Sequence, residues 1–367
     1  MAARGMVRRM RVLGKYGAGA FFAAALLTRS AASAQDGLTL DGNILLYGDN
    51  TEFRNPFREG ATIFGAAARL EANVPVAPRA SVALGVFVNQ RFGSGRAFEI
   101  VRPVVALTIT GRRSSFVFGT LPPRGADAPI GPDRAGLHRL LPPLQRETLA
   151  FDRPYEAGLA WSFRGSLLRH EAWIEWQRLN TPEHRERFDA GLNAELQVSR
   201  AVSIPLQLHV VHQGGQLFAS GPVADSLAAA AGVKLERDLS GSRRASAEAY
   251  GLLSHDTPDR AAPGRSLNGT AFLARAAIEQ GGWRTHLVVW RGRDFVKEEG
   301  DPNYGALRRN STYHRGTRDY AELGASRRFR LSPGALIEVS GRLHRVERYY
   351  EYSYRVISLV DLSTRLR

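Results

Sequence analysis

The stretch that decides the fold is RFDAGLNAELQVS, residues 187–199, in which apolar and polar side chains alternate one by one. Successive side chains of a β-strand point to opposite faces of the sheet. One face of this strand is therefore apolar and carries Phe188, Ala190, Leu192, Ala194, Leu196 and Val198. The residues between them form a polar face. The pattern predicts a ribbon that separates an apolar environment from water.

The same alternation recurs along most of the chain, whereas helical periodicity is scarce. Many of the runs have the length of a tilted membrane strand, about 9–11 residues, and exceed the usual sandwich strand of about 5–6 residues. The sequence predicts sixteen strands, at residues 38–47, 61–76, 80–92, 97–110, 113–121, 155–164, 167–178, 186–199, 202–213, 226–237, 243–254, 267–280, 283–293, 317–330, 335–348 and 352–365.

The connections between these strands alternate in length. Every second one is a short turn, such as 111–112, 200–201 and 281–282, and most of the others are long and polar, such as 122–154 and 294–316. Short turns at one end and long loops at the other are typical of outer-membrane barrels. We therefore predict an all-β protein, a transmembrane antiparallel up-and-down β-barrel of about sixteen strands (range 14–18). A soluble two-sheet periplasmic domain is the alternative fold.

The composition agrees with export to the cell envelope. Residues 1–34 combine a basic start, a short apolar segment and the A-x-A site Ala32-Ser33-Ala34, which predicts a signal peptide ahead of a barrel at 35–367. No later apolar run approaches the length of a membrane-spanning helix. The chain has no Cys, which excludes disulfides, thiolate metal sites and thiol catalysis. Its net charge of +15 is spread along the chain, so no nucleic-acid partner is predicted.

Aromatic residues near predicted strand ends support a membrane location. We expect their rings on the apolar face, at the level of the lipid headgroups, where one side of the ring is apolar and the other is wet. These residues are Tyr155, Trp161, Trp176, Trp283, Tyr352 and Tyr354.

In architecture the chain resembles the sixteen-stranded outer-membrane porins of Gram-negative bacteria. The resemblance rests on the predicted signal peptide, sixteen alternating segments and a long third external loop, and it covers the whole mature chain. Porins of this kind end in an aromatic residue, whereas this chain ends Thr364-Arg365-Leu366-Arg367. The resemblance implies an outer-membrane location and a water-filled lumen, with the lipid bilayer and small solutes as partners. A homo-oligomer is a further expectation.

Loop 122–154 is the predicted constriction of that lumen. It contains Leu137, Leu140, Leu141 and Leu144, which favour burial, so we expect it to fold inward; an outward cap is the alternative. Charges on the predicted inner wall are nearly balanced in sign. The predicted pore-lining residues are Arg124, Arg134, Arg139, Arg146, Arg169, Glu171, Glu175, Arg284 and Arg342. The four loop arginines predict a mild preference for anions.

The sequence thus predicts a passive channel for small solutes, with no enzymatic activity, no catalytic residues, no cofactor and no metal. One alternative is a structural or export-linked barrel that works with an envelope polymer. Another is a hydrolase with its site at the barrel rim, whose candidate residues are the adjacent pair His255 and Asp256. That pair gives weak support, because adjacent strand residues point to opposite faces.

Overall fold

The computed structural model describes residues 37–122 and 137–366. The predicted signal peptide, residues 1–34, lies outside the described residues, as do Arg124 and Arg134. In the described ranges, no helix is long and apolar enough to cross a membrane.

The described chain forms one antiparallel sheet that closes on itself as a barrel. Consecutive strands pair with each other, and β1 (Thr39–Glu52) pairs with β16 (Tyr349–Arg365) to close the ring. The strands between them are β2 (Ala61–Ala77), β3 (Ala80–Arg91), β4 (Ile100–Thr110), β5 (Ser114–Thr120), β6 (Ala157–Arg164), β7 (Leu168–Arg178), β8 (Glu186–Gln197), β9 (Val202–Gly214), β10 (Ala224–Asp238), β11 (Arg243–Thr257), β12 (Leu267–Gln280), β13 (Trp283–Arg293), β14 (Thr317–Ser332) and β15 (Ala335–Val346). Two short helical segments, Leu149–Asp152 and Pro263–Arg265, lie in loops.

The closed barrel confirms the predicted fold class, and the soluble two-sheet alternative is wrong. Each predicted strand overlaps an observed one. The largest difference is in β1, which was predicted to end at residue 47 and continues to Glu52. The extra residues stay in the sheet because β16 pairs with them on one side, as Gly48 does with Val356, and β2 on the other, as Thr51 does with Ala61.

The outer face of the barrel is apolar, as the alternating pattern predicts. Large side chains such as Leu70, Val105 and Leu253 stay more than half exposed, at 58%, 54% and 62%. The neighbours of these residues in each strand point into the lumen. Each of the sixteen strands carries at least one large apolar side chain that is more than a third exposed, and together these side chains form the surface that a lipid environment would cover.

The predicted aromatic residues lie on that outer face with one exception. Five of them are about half exposed: Trp161, Trp176, Trp283, Tyr352 and Tyr354. Tyr155 instead precedes β6, and its ring packs against the buried Phe87 at 5.5 Å. Its hydroxyl donates to the carbonyl oxygen of Pro103 at 2.9 Å. The prediction that Tyr155 lies on the outer face is wrong because the residue lies before β6, which begins at Ala157, so strand alternation does not set the direction of its ring.

The two ends of the barrel differ, and we call them the turn end and the loop end. Short turns such as 111–113 and 281–282 lie at the turn end, which faces the periplasm in barrels of this type. Long connections such as 294–316 lie at the loop end. The N-terminal end of β1 and the C-terminal end of β16 meet at the turn end, where Thr39 pairs with Arg365.

Two loops fill the lumen at the loop end, and we call residues 137–156 and 294–306 the plug. Leu140, Leu141 and Leu144 are 2%, 1% and 0% exposed and pack with wall residues including Trp173. The wall also binds the plug backbone: the Leu141 amide donates to the Gln207 side-chain oxygen at 2.7 Å. The two plug segments bind each other as well, through Arg146 and Asp301 amides that donate to the carbonyls of Glu299 and Pro142.

Water-accessible space remains at the turn end. A cavity of about 520 Å³ lies between the turns at 239–242 and 281–282, and polar and charged residues line it, among them Glu236, Arg244, Glu279, Arg284 and Glu338. The lumen is therefore packed at the loop end and open at the turn end.

Candidate active site in the barrel lumen

Three neighbouring strands carry a row of polar side chains at the loop end of the lumen. Glu322 of β14, His344 of β15 and Ser353 of β16 all face inward, and they are 6%, 4% and 8% exposed. The strand register brings them together, since Glu322 lies opposite His344, and Arg342, two residues from His344 on the same face, lies opposite Ser353.

Hydrogen bonds join this row into a relay. The Ser353 Oγ lies 2.8 Å from the His344 Nε2. The His344 Nδ1 lies 2.8 Å from the Tyr320 hydroxyl and 3.4 Å from the Glu322 Oε2. The Tyr320 hydroxyl donates to the same Oε2 at 2.7 Å, and His286 reaches the other Glu322 oxygen at 2.8 Å.

These partners decide the tautomer of His344. The Tyr320 hydroxyl has one proton, and it is donated to Glu322, so its oxygen accepts from the Nδ1–H of His344. The Nε2 of His344 then carries the lone pair and accepts from the Ser353 hydroxyl. A serine hydroxyl that donates to a histidine, which is oriented through its other nitrogen toward a carboxylate, has the arrangement of a base-activated nucleophile.

The first loop, residues 53–60, covers this relay. The ring of Phe53 packs edge-on against the His344 ring at a centroid distance of 5.0 Å. Glu351, two residues before Ser353, accepts hydrogen bonds from the backbone amides of Arg54 and Asn55 at 2.5 and 2.7 Å. The loop is therefore held over Ser353 and His344 by a carboxylate of the same strand that carries the serine.

A buried ion-pair cluster lies beside the relay. Glu147 of the plug binds two wall arginines, Arg342 at 2.8 Å and Arg355 at 2.7 Å. Arg355 also binds Asp49 of β1 at 2.6 Å. Buried charges of this kind are stable only when each is paired, so the cluster fixes the plug against β15 and β16.

His138 of the plug is held in a second polar cluster on the opposite wall. Its two ring nitrogens lie 2.7 Å from Glu171 and 3.2 Å from Glu156, and its ring stacks on Trp173 at 3.6 Å. Burial lowers the pKa of His138, but the two carboxylates outweigh burial and raise its pKa to about 10. His138 is therefore a cation at neutral pH.

A third group has the composition of a metal site. Asp189 of β8, His209 of β9 and Glu299 of the plug are all buried, and one ligand atom from each lies within 4.8 Å of the others. The His209 Nε2 is 3.5 Å from the Asp189 Oδ2 and 3.9 Å from the Glu299 Oε2. Within the described ranges these residues are the ones that could hold a cation.

Seven of the nine predicted pore-lining residues lie in the described part of the chain. Arg139 and Arg146 belong to the plug, and Arg342 binds Glu147. Glu171 and Glu175 lie on the barrel wall, Glu171 beside His138 of the plug and Glu175 beside Asp189. The remaining two lie at the turn end: Arg169 binds Glu195, and Arg284 lines the open cavity. Their role in permeation stays a prediction.

The sequence reasoning did not single out Ser353, His344 and Glu322 as a group. They are 31 residues apart at most and carry no motif, since strand register rather than sequence spacing brings them together. One signal was present: all three occupy polar-face positions near the loop ends of consecutive strands.

Comparison with solved structures defines the class of protein. The fold is similar to a loop-deletion variant of OmpT, an outer membrane protein of Vibrio cholerae, with a TM-score of 0.55, 11% identity, and coverage of 89% of this chain and 100% of that chain. It is also similar to OccK11 of Pseudomonas aeruginosa, with a TM-score of 0.51, 12% identity, and coverage of 90% and 98%. The protein is thus an outer-membrane β-barrel with porin-like architecture. No curated protein sequence matches the chain.

The family is more specific than the fold. Residues 29–365 match the family described as lipid A 3'-O-deacylase-type, and the chain belongs to that family. The prediction that this protein is not an enzyme is therefore wrong. The sequence gives no local sign of the enzyme, because the candidate catalytic residues lie on different strands and face the lumen, whereas His255 and Asp256 are merely neighbours in sequence.

Proposed function

We propose that the protein is an outer-membrane ester hydrolase that removes an acyl chain from a glycolipid of the lipid A class. The observation that carries the proposal is the 2.8 Å contact between the Ser353 Oγ and the His344 Nε2. Ser353 is the nucleophile, His344 is the general base, and Tyr320 with Glu322 orients His344. The family supplies the substrate class, because its description names deacylation of lipid A.

The chemistry follows from the positions of the protons. As the Ser353 oxygen bonds to the ester carbonyl carbon, His344 Nε2 takes the hydroxyl proton, and the carbonyl electron pair moves onto oxygen. The tetrahedral intermediate collapses, the bond to the sugar oxygen breaks, and that oxygen takes the proton from His344. Water then attacks the acyl-serine with His344 as base, which releases the fatty acid and restores Ser353. Glu322 stabilises the imidazolium in both steps.

Charge around the mouth of the barrel suits an anionic glycolipid. Arginines are concentrated on the first loop, in loop 294–316 and where β15 passes into β16: Arg54, Arg58, Arg308, Arg309, Arg315, Arg345 and Arg348. The backbone of loop 294–316 is joined to the first loop, since the Arg309 amide donates to the carbonyl of Pro56 at 2.9 Å. Guanidinium groups bind phosphates in a two-pronged geometry, so the mouth is suited to phosphorylated headgroups.

Access to Ser353 requires movement of the first loop. The wall beside Ser353 is continuous, because β1 and β16 are paired over the whole length of β1. A substrate therefore has to enter from the loop end, where Phe53 covers His344. The loop is fastened by hydrogen bonds of Arg54 and Asn55 to Glu351 and by an ion pair of Arg58 with Asp301, all of which can open without unfolding a strand.

The test is the acyl composition of lipid A exposed to the folded protein, read by mass spectrometry. We expect the wild type to remove one acyl chain and Ser353→Ala to lose at least about 10³-fold in rate, as for other nucleophilic serines. A fluorophosphonate probe should label the wild type and not Ser353→Ala. Ser340→Ala is the matched control, a buried lumen-facing serine of β15 that lies outside the relay. Unchanged activity in Ser353→Ala would refute the mechanism.

A passive solute channel is the second candidate function, and the cavity of about 520 Å³ at the turn end favours it. The plug closes the path to the loop end, so we expect the wild type to show little conductance in planar bilayers. Removal of residues 137–148 should open the channel, and, because Arg139 and Arg146 lie in this segment, the small residual conductance of the wild type should favour anions whereas that of the variant should not. A variant without these residues that stays silent would argue against any solute path.

A further inference from the structure

Three buried atoms with lone pairs converge where the plug meets the wall at β8 and β9. They are the His209 Nε2, the Asp189 Oδ2 and the Glu299 Oε2. Asp189 and His209 are both 0% exposed, and Glu299 is 3% exposed. Such a convergence is unfavourable unless a positive charge lies between the atoms.

The hydrogen bonds of His209 determine which ring nitrogen carries the proton. Its Nδ1 lies 3.0 Å from the carbonyl oxygen of Leu144, and a carbonyl can only accept, so Nδ1 carries a proton. In the neutral ring the Nε2 then presents its lone pair to the two carboxylates. A histidine that donates from one nitrogen to a backbone carbonyl while the other faces acidic oxygens is the usual form of a metal ligand.

The carboxylates are oriented in the same manner. Trp173 donates to the Asp189 Oδ1 at 3.0 Å. Arg153 and Arg187 donate to the Glu299 Oε1 at 2.9 and 3.0 Å. Glu299 therefore uses one oxygen for its surroundings and turns the other toward His209, whereas the Asp189 Oδ2 that faces His209 also accepts from the Gln177 side chain at 3.3 Å. These outer contacts are of the type that fixes metal ligands in place.

The oxygen of Glu299 that faces His209 is not satisfied. In the described part of the chain, the Glu299 Oε2 is buried and has no hydrogen-bond partner. The hydrogen-bonded network around it holds the carboxylates of Glu175, Asp189, Glu298 and Glu299 against two guanidiniums, those of Arg153 and Arg187. Besides these guanidiniums, the buried Lys297 is the other cation near the network, and its Nζ makes no hydrogen bond to the Glu299 Oε2 in the described residues.

We infer that Asp189, His209 and Glu299 bind a divalent metal ion that fastens the plug to the barrel wall. One imidazole with two carboxylates suits a first-row ion such as Zn²⁺, whose bonds to such ligands are about 2.0–2.2 Å. Ligand atoms 3.5 and 3.9 Å apart need only small side-chain movements to reach that geometry. Because Asp189 and His209 belong to the wall and Glu299 to the plug, the metal joins the two directly.

The test is zinc binding by the folded barrel in detergent after treatment with a chelator. We expect one Zn²⁺ per chain, a higher melting temperature with zinc than without it, and, with Co²⁺ as the probe, visible absorption bands of a nitrogen- and oxygen-ligated ion. His209→Gln and Asp189→Asn should each weaken zinc binding by at least about 10-fold. Loss of a contact that merely orients a metal ligand already weakens binding by about that much, and loss of a ligand should weaken it more. Loss of the zinc-dependent stabilisation should accompany the loss of binding.

His212→Gln is the matched control. His212 lies on the same strand as His209 and also pairs with an aspartate, Asp225 at 2.7 Å, but it lies outside the three-residue group. It should bind zinc like the wild type, and an equal loss in both histidine variants would overturn the proposal. So would a wild type that takes up no zinc.

Lys297 is the competing cation. Its Nζ is buried without a hydrogen-bond partner in the described residues. If a metal neutralises the carboxylates, Lys297→Met should keep zinc binding; if the ammonium does so, wild type should bind no zinc and Lys297→Met should destabilise the fold. Ser353→Ala should bind zinc like the wild type, so a failed hydrolase assay and a failed zinc assay are separate results.

Discussion

The two halves of the lumen are built from the same strands and differ in what fills them. At the loop end the plug buries leucines against the wall and closes polar networks, as Leu144 at 0% exposure shows. At the turn end the lumen holds a cavity of about 520 Å³ lined by charged residues. The wall pattern is the same in both, so the loops and not the strands decide whether the lumen is packed or wet.

Strand β11 (Arg243–Thr257) shows the difference within one element. Ser246 and Ser254 point to the same side of the sheet, eight residues apart. Ser246 lines the open cavity, whereas the Ser254 Oγ accepts a hydrogen bond from the backbone amide of Val296 in the plug at 3.2 Å. A polar lumen-facing residue therefore contacts water at the turn end, whereas an equivalent residue at the loop end holds a loop in place.

The largest contrast should appear when the same charge is removed from each half. Arg342 pairs with Glu147 of the plug, and Arg342→Met leaves that carboxylate with Arg355 alone. We expect a loss of about 3–5 kcal/mol, the cost of breaking a buried pair. Arg284→Met at the wet end should cost about 0–1 kcal/mol, because water replaces the lost partner of Glu279. Urea unfolding in detergent measures both, and equal losses would break the contrast between the halves.

The sequence predicts the barrel well and the site poorly, for a physical reason. Alternation with period two is a local signal, so the strands can be read from residues such as 187–199 alone. The leucines of loop 122–154 likewise predict, from the sequence alone, that this loop is buried. The relay depends on register across three strands, which places His344 beside both Glu322 and Ser353. Register is set by pairing and turn geometry, and a single sequence contains no direct record of it.

Packing of the plug gives the next largest effect. Leu144 is fully buried among plug and wall residues, so Leu144→Ala removes apolar contacts and leaves a cavity. We expect a loss of about 2–5 kcal/mol. Leu217→Ala is the matched control in an exposed loop, where Leu217 is 76% exposed, and its effect should stay within about 0.5 kcal/mol. A Leu144 variant as stable as the control would mean that the plug contributes little to the fold.

Titration of His138 should give a smaller, pH-dependent effect. Its pKa in the folded protein is about 10, above the value of about 6.5 in the unfolded chain. The stabilisation is therefore complete below pH of about 6.5 and is lost as the pH rises toward about 10. We expect the free-energy difference between wild type and His138→Gln to shrink by about 2–3 kcal/mol from pH 7 to pH 9. Parallel pH profiles of the two proteins would contradict a charged His138.

The smallest perturbation tests the two halves without changing their stability. The chain has no Cys, so a single introduced thiol reports on its own surroundings. Ser246→Cys should react readily with a charged, water-soluble thiol reagent, because Ser246 lines the open cavity. Ser254→Cys, 5% exposed under the plug, can react only when the plug opens, so we expect its labelling to be at least about tenfold slower. Both changes are conservative and share one strand, so a difference in rate reports the plug and not the wall. Equal rates would show that the plug leaves the lumen often in solution, and the barrel would then have to be regarded as a gated channel.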